Sequence, residues 1–466
     1  MRLWTDRLAG PAALLGVSAL FGSFLAADSK AGGPAAPGPK LSATAPTYGA
    51  DVAPILERHC RKCHRPGHVA PFSLGTYEQA RKRASDIADV TGERSMPPWK
   101  PEPGVGPKLL HARAMPAADV AVLKRWAEAG APEGKSATAS ASAPASQEGW
   151  TLGTPDLVLE TAEDYQVPAS GRDIYRCFVI PTKLRDDVYV AAVEYRPGNR
   201  RVVHHMQAYI DVEGGGRDRD AADPGPGYTS FSGPGVEIVG DMGGWTPGNT
   251  VVQLPQGVGR LVPARSEIIL QVHYHPSGKP EVDRTRIGLY FCKTPVKRTL
   301  HWGHASNEEF RLAAGKSDAE VKASWFVPVN LEALAVTPHM HSLGRDFRVS
   351  VTYPDGRKSD LLYIPEWDPS WQDTYYFERP VALPKGSTVR IVAHFDNSVH
   401  ARNPNFPPKL VKWGQQATDE MCVGYIGVVK KDQDLTRPGE KDDLFDILLK
   451  QQVRSQTRAE ALRRKR

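Results

Sequence analysis

The chain has 466 residues, which at about 100–200 residues per domain points to two to four domains rather than one. A hydrophobic share of 40%, with 42 glycines and 40 prolines, describes a loop-rich globular protein and excludes a fibrous or disordered one. The net charge of +6 is small against 59 basic and 53 acidic residues, and no basic stripe interleaves with aromatics, so nucleic acid is not an expected partner.

Residues 1–31 read as an export signal. Arg2 and Arg7 precede an apolar run at 11–27, and small residues follow. The run is short for a membrane span, which needs about 20 residues, so cleavage near 26–31 is expected. The expected product is periplasmic or secreted, with no stable membrane insertion.

Residues 46–134 read as short helices separated by turns. Apolar periodicity appears at 52–59, 77–90 and 117–129. Between the first two stands Cys60-Arg-Lys-Cys63-His64, the pattern for covalent attachment of a c-type haem through two thiols, with His64 as an iron ligand. No second CxxC completes a zinc cluster. Met96, followed by two prolines that stiffen its loop, is the preferred sixth ligand, with Met115, His111 and His68 as competitors. Methionine opposite histidine suits electron transfer. This stretch resembles the small cytochrome c domain at the front of some multidomain bacterial enzymes.

Residues 135–149 are rich in Ala and Ser with no large apolar side chain before Trp150, and read as a linker. Beyond them, β-branched and aromatic runs at 188–195, 267–275, 286–291, 347–353 and 389–395 are bounded by turn residues. The expected fold class is therefore multidomain: a small all-α cytochrome c-like domain, then two all-β antiparallel sandwich or jelly-roll subdomains over 150–300 and 301–432. Residues 433–466 read as a basic tail. Cys177, Cys292 and Cys422 remain outside the haem motif; at most one disulfide can form among them, and the sequence does not choose the pair.

Three histidine pairs lie in the β region: His204-His205, His273 with His275, and His339 with His341. Positions i and i+2 of a strand share a face, so His339 and His341 can chelate one ion. Adjacent residues point to opposite faces, so His204 and His205 can share a metal only where the strand bulges. Imidazoles with a thioether, here Met421, favour copper, with zinc remaining possible.

The strings Val-Val-His204-His205-Met, Leu-Gln-Val-His273-Tyr, Thr-Pro-His339-Met-His341 and Asp-Glu-Met421-Cys occur in the order seen in the copper type II, ascorbate-dependent monooxygenases, which the region 150–430 resembles. The resemblance implies two copper ions. His204, His205 and His273 would hold the electron-transfer copper, and His339, His341 and Met421 the oxygen-activating one. Tyr425 matches a family position and is assigned to the catalytic set with them. Family chemistry implies hydroxylation of an activated C–H bond of a small molecule by O2, with two electrons from an ascorbate-like reductant or a redox protein. Thr337 stands where the peptide-amidating members place an Arg, and Val423 where they use an Asn, so a C-terminal glycine peptide is not the expected substrate. The fused haem is expected to relay electrons. A non-catalytic copper and haem electron carrier or redox sensor is the alternative. His275 has no family counterpart and reads as a partly exposed structural residue.

Overall fold

The computed structural model describes residues 45–463, apart from 67, 69, 136–148, 232 and 417. The export signal and nearly all of the linker lie outside the described residues. Residues 45–466 cluster as one compact unit, and no described helix is long and apolar enough to cross a membrane.

Strand patterning explains the β region. Glu267–Tyr274 is buried along its whole length because both of its faces are covered. Ile268, Leu270, Val272 and Tyr274 enter one large core, while Ile269 packs with Cys177 and Tyr228 on the opposite side. This strand sits at the centre of a five-stranded sheet, between Ile174–Pro181 and Val203–Asp211, with Tyr228–Thr229 and Gly240–Trp245 at the edges. The same core receives side chains from a second five-stranded sheet containing Leu157–Glu160, Arg286–Phe291, Val188–Arg196 and Val258–Val262.

A second large core lies between two four-stranded sheets. One runs His301–Ser306, Val423–Lys430, Leu331–His339, Tyr375–Leu383; the other runs Ala319–Phe326, Thr388–Phe395, Gly344–Thr352, Lys358–Ile364. The two halves meet at a smaller apolar cluster, where Leu254, Val258 and Leu300 touch Leu334 and Val429.

The helices are short. Ala53–His59, Tyr77–Arg81, Ala84–Gly92 and Ala117–Glu128 enclose a small core of Val52, Ile55, Leu56, Ile87, Leu123 and Trp126, among others. The periodic run at 77–90 is split in two: a Thr76–Gln79 capping box starts the first piece, and Arg83 leaves helical geometry at φ −118°, ψ 16°. Between the helices, residues 102–113 join the β region as backbone. Glu102 N donates to Tyr363 O (2.8 Å), Leu110 N to Tyr376 O (2.7 Å), and Glu378 N to Lys108 O (2.8 Å).

These observations correct the expected fold class. The chain is mostly β, 35% strand and 14% helix, and no sizeable all-α cytochrome c-like domain precedes the β-sheets. The physical reason is that the helical residues bury too few side chains for a core of domain size, and the segment between the helices spends its backbone hydrogen bonds on the sheets. The terminal segment also departs from a simple appendage. Its helix, Leu444–Arg463, buries Leu444 in the second core, and Trp325 Nε1 donates to Gln451 Oε1 at 3.0 Å.

Candidate metal centres

The first histidine cluster is built on two neighbouring strands, with Tyr175 on a third. His205 and His273 are direct cross-strand partners, and Tyr175 is the partner of His273 on the other side. The register shifts between Val203 and His205, the bulge that adjacent ligands require. Met206, Ala208 and Ile210 then fall on the core face, leaving His205 on the opposite one. His204, His205 and His273 bring ligand nitrogens within 4.8 Å of one another. Nδ1 of His205 lies 3.3 Å from His204 Nδ1 and 3.2 Å from His273 Nδ1.

Protonation follows from the surroundings. Burial lowers the His204 pKa to about 4 and the His205 pKa well below its ordinary value, so both rings are neutral. Asp173 accepts hydrogen bonds from His273 Nε2 (2.8 Å) and His275 Nδ1 (2.7 Å). The bond from His273 is the chief cause that holds the Asp173 carboxyl down at about 2. With the hydrogen of Nε2 directed to Asp173, His273 turns its Nδ1 toward the cluster. One ring proton on His205 Nδ1 cannot serve two neighbours well, whereas a cation satisfies all three nitrogens. The three rings therefore fit a metal. Tyr175 stacks on His273 at 4.2 Å and 7°, fixing the ring plane.

The second set converges where a strand ends. His339 closes Leu331–His339, His341 follows in the turn, and their ring centroids are 5.3 Å apart at 84°. Gln372 donates through Nε2 to Pro369 O (2.9 Å), which turns its Oε1 toward His339 Nδ1 at 2.5 Å. His341 Nδ1 donates to the carbonyl of Asp419 at 3.1 Å. Both histidines thus carry the proton on Nδ1 and leave Nε2 as the free acceptor, and burial lowers both pKa values. Met421 is buried one residue beyond Glu420, whose carboxylate accepts from the backbone N–H groups of His341 (2.8 Å), Leu343 (2.6 Å) and Met421 (3.1 Å). Burial pushes Glu420 up to about 8 against the pull of those donors. Two neutral imidazoles and a thioether suit a soft, late transition metal.

Both sets open onto one cavity of about 1250 Å³, whose lining includes His205, His339, His341, Met421, Tyr425 and Cys63. Tyr425 is the cross-strand partner of Thr337 and is 37% exposed, toward this cavity. Thr337 Oγ1 lies 2.8 Å from Thr374 Oγ1. Phe231 spans the two sets, 4.7 Å from the Tyr175 ring and 6.4 Å from the His341 ring.

The Cys-X-X-Cys-His segment forms a tight turn at the end of Ala53–His59. Cys60 N donates to Leu56 O (2.8 Å), and Cys63 N and His64 N donate to Cys60 O at 3.1 and 2.9 Å. Both thiols are unpaired with each other, and burial raises the pKa of both, Cys60 to about 12. His64 Nδ1 donates to Phe72 O at 3.3 Å, leaving Nε2 free to ligate. Two protonated thiols and a directed imidazole in one turn fit thioether attachment of a haem. The turn is held to the β region by Lys62 Nζ, which donates to Gly248 O (2.7 Å) and Thr250 Oγ1 (3.0 Å). Met96 stands at a surface turn, 37% exposed, whereas Met115, like Cys60, packs against the small helical core. His68 and His111 both line the shared cavity. Cys177, Cys292 and Cys422 are unpaired.

Asp173, Gln372 and Glu420 were not singled out by sequence reasoning. Glu420 sits within the Asp-Glu-Met421-Cys string, and that adjacency was its one signal. His275 is 69% exposed on its side chain and touches the Asp173 carboxylate.

No family model matches the chain, and no curated protein matches it. Among solved structures, the VP2 subviral particle of infectious bursal disease virus is 10% identical, covering 61% of this chain and 81% of that one, with a TM-score of 0.16. The structure of the Gx strain of that virus is 9% identical over 59% and 72%, with a TM-score of 0.17. Likeness at this level carries no argument about fold or function.

Proposed function

We propose that the chain is a copper-dependent monooxygenase that hydroxylates an activated C–H bond of a small molecule, with electrons delivered through a covalently bound haem. His204, His205 and His273 would hold one copper, His339, His341 and Met421 the other, and Cys60, Cys63 and His64 the haem, with Met96 or Met115 as its sixth ligand. The observation that carries this reading is that three imidazoles with converging Nδ1 atoms reach, through His205, the same cavity that a His–His–Met set lines.

The overall reaction takes O2, two electrons, two protons and a C–H bond to a C–OH group and water. Copper would supply the one-electron couples and the affinity for oxygen. The chain's own groups do the positioning. Asp173 holds the His273 tautomer, Gln372 and the Asp419 carbonyl hold those of His339 and His341, and Glu420 fixes the turn that carries His341. The Tyr425 hydroxyl and the Thr337–Thr374 pair present polar atoms to a molecule entering between the two sets.

The test is copper and haem analysis of the exported protein, followed by mass spectrometry of products formed with labelled O2 over benzylic and aliphatic substrates. Two coppers, one haem and one labelled oxygen per product are expected. Full metal loading with no product from any substrate would overturn the oxygenase in favour of an electron carrier.

A further inference from the structure

The shared cavity is unevenly charged. Seven cationic side chains line it against three carboxylates. Two of the cations have partners in the wall: Arg113 Nη2 donates to Asp373 Oδ2 at 2.6 Å, and Arg196 Nη2 to Glu194 Oε1 at 2.8 Å. The excess collects at the end nearest the haem-binding turn, where Lys62, Arg65 and Arg200 line the wall with Cys63 and His68. Lys62 donates only to neutral oxygens, of Gly248 and Thr250. Among the described residues no carboxylate pairs with Lys62, Arg65 or Arg200, and the buried Nε of Arg65 has no hydrogen-bond partner. Lys62 and Arg200 are each within electrostatic reach of Arg65, so the three cations form one group. Like charges gathered on one wall, with no carboxylate nearer than Glu194, which is already bonded to Arg196, favour an anion between them.

We propose that this end of the cavity, between the Cys60–His64 turn and Arg200, is an anion seat that takes a carboxylate, held by Lys62, Arg65 and Arg200. Guanidinium groups suit a carboxylate because their planar forks donate two parallel bonds to its two oxygens. The carboxylate has two possible sources. One is a haem propionate, and that source rests on the haem reading above. The other is a free small molecule, the substrate or reductant entering the cavity. Propionates lie on the macrocycle edge opposite the vinyl-derived thioethers, whereas these cations gather around Cys63. A free carboxylate is therefore the expected occupant, which would make the substrate or reductant anionic.

The test measures calorimetric binding of benzoate and of benzamide, its neutral isostere, to the exported protein at low ionic strength. Haem content is determined on the same sample. Benzoate is expected to bind at least tenfold more tightly than benzamide, and R200Q and K62Q to lose that preference. Arg201→Gln, at the exposed neighbouring position, serves as control and should keep it; two seat variants guard against a failure of either to fold. If benzoate does not bind but the pH inflection of the haem potential moves upward in R200Q, the seat is real and holds a propionate. Benzoate and benzamide binding alike, with that inflection unmoved, overturns the seat. A protein without haem would sink the relay while the benzoate comparison still decides the seat.

Discussion

Asp173 touches no candidate metal position, yet it decides which nitrogen of His273 faces the cluster. Replacing it by Asn removes the carboxylate charge and leaves a weaker amide that can turn either its oxygen or its NH2 toward Nε2, so the tautomer is no longer fixed. D173N is expected to weaken metal binding at the three-histidine site about 10–100-fold, read by titration of the metal-free protein with copper, and to leave the His339 site unchanged. Protonation gives a second check. His204 and His339 have pKa values lowered to about 4, mainly by burial, and His205 lies well below its ordinary value. A depressed histidine pKa means that the unfolded chain binds more protons, so stability is full above about pH 6.5 and falls as the pH drops toward 4. Thermal unfolding of the metal-free protein should show this acid loss, and H204Q/H339Q should flatten it. The histidines themselves were legible in the sequence because pairs at short spacing are rare. Asp173 was not, since one aspartate among many acquires meaning only when strand pairing carries Ile174–Pro181 beside Glu267–Tyr274.

The strands show what periodicity can and cannot give. Alternation in 347–353 marked a strand that the structure places at Gly344–Thr352, and the adjacency of His204 and His205 demanded a bulge that the register shift supplies. The run at 77–90 read as one helix because its apolar positions continue through Arg83; a local departure from helical geometry leaves no trace in apolar spacing. The turn after His339 is likewise set by contacts distant in sequence. Glu420 accepts three backbone N–H bonds there, so Glu420→Ala strands buried donors at roughly 1–3 kcal/mol each. The expected result is a loss of several kcal/mol in denaturant unfolding. Metal binding at His339, His341 and Met421 should weaken while the three-histidine site keeps its affinity.

At the scale of the molecule, the helical segment and the sheets share one cavity wall. Arg113 bridges them through Asp373, which also accepts from Thr246 Oγ1 at 2.5 Å. Breaking so enclosed a pair by Arg113→Ala is expected to cost about 3 kcal/mol and to expose residues 102–113 to proteolysis, followed by limited digestion and mass spectrometry. This docking could not be read from the sequence: an Ala/Ser-rich stretch at 135–149 suggests separable parts, and nothing in residues 102–113 announces that their backbone will pair with strands more than 200 positions away.

That backbone pairing has a consequence for anyone wishing to cut or transplant the parts. Tyr363 and Tyr376 lend their carbonyls, and Glu378 its N–H, to a strap that begins before the linker. Excision at residue 149 would leave these groups bare on sheet edges, the kind of surface on which chains stack and precipitate. The front segment is thus a seam of the β structure, and the proposed electron donor and oxygen chemistry would have to be inherited together.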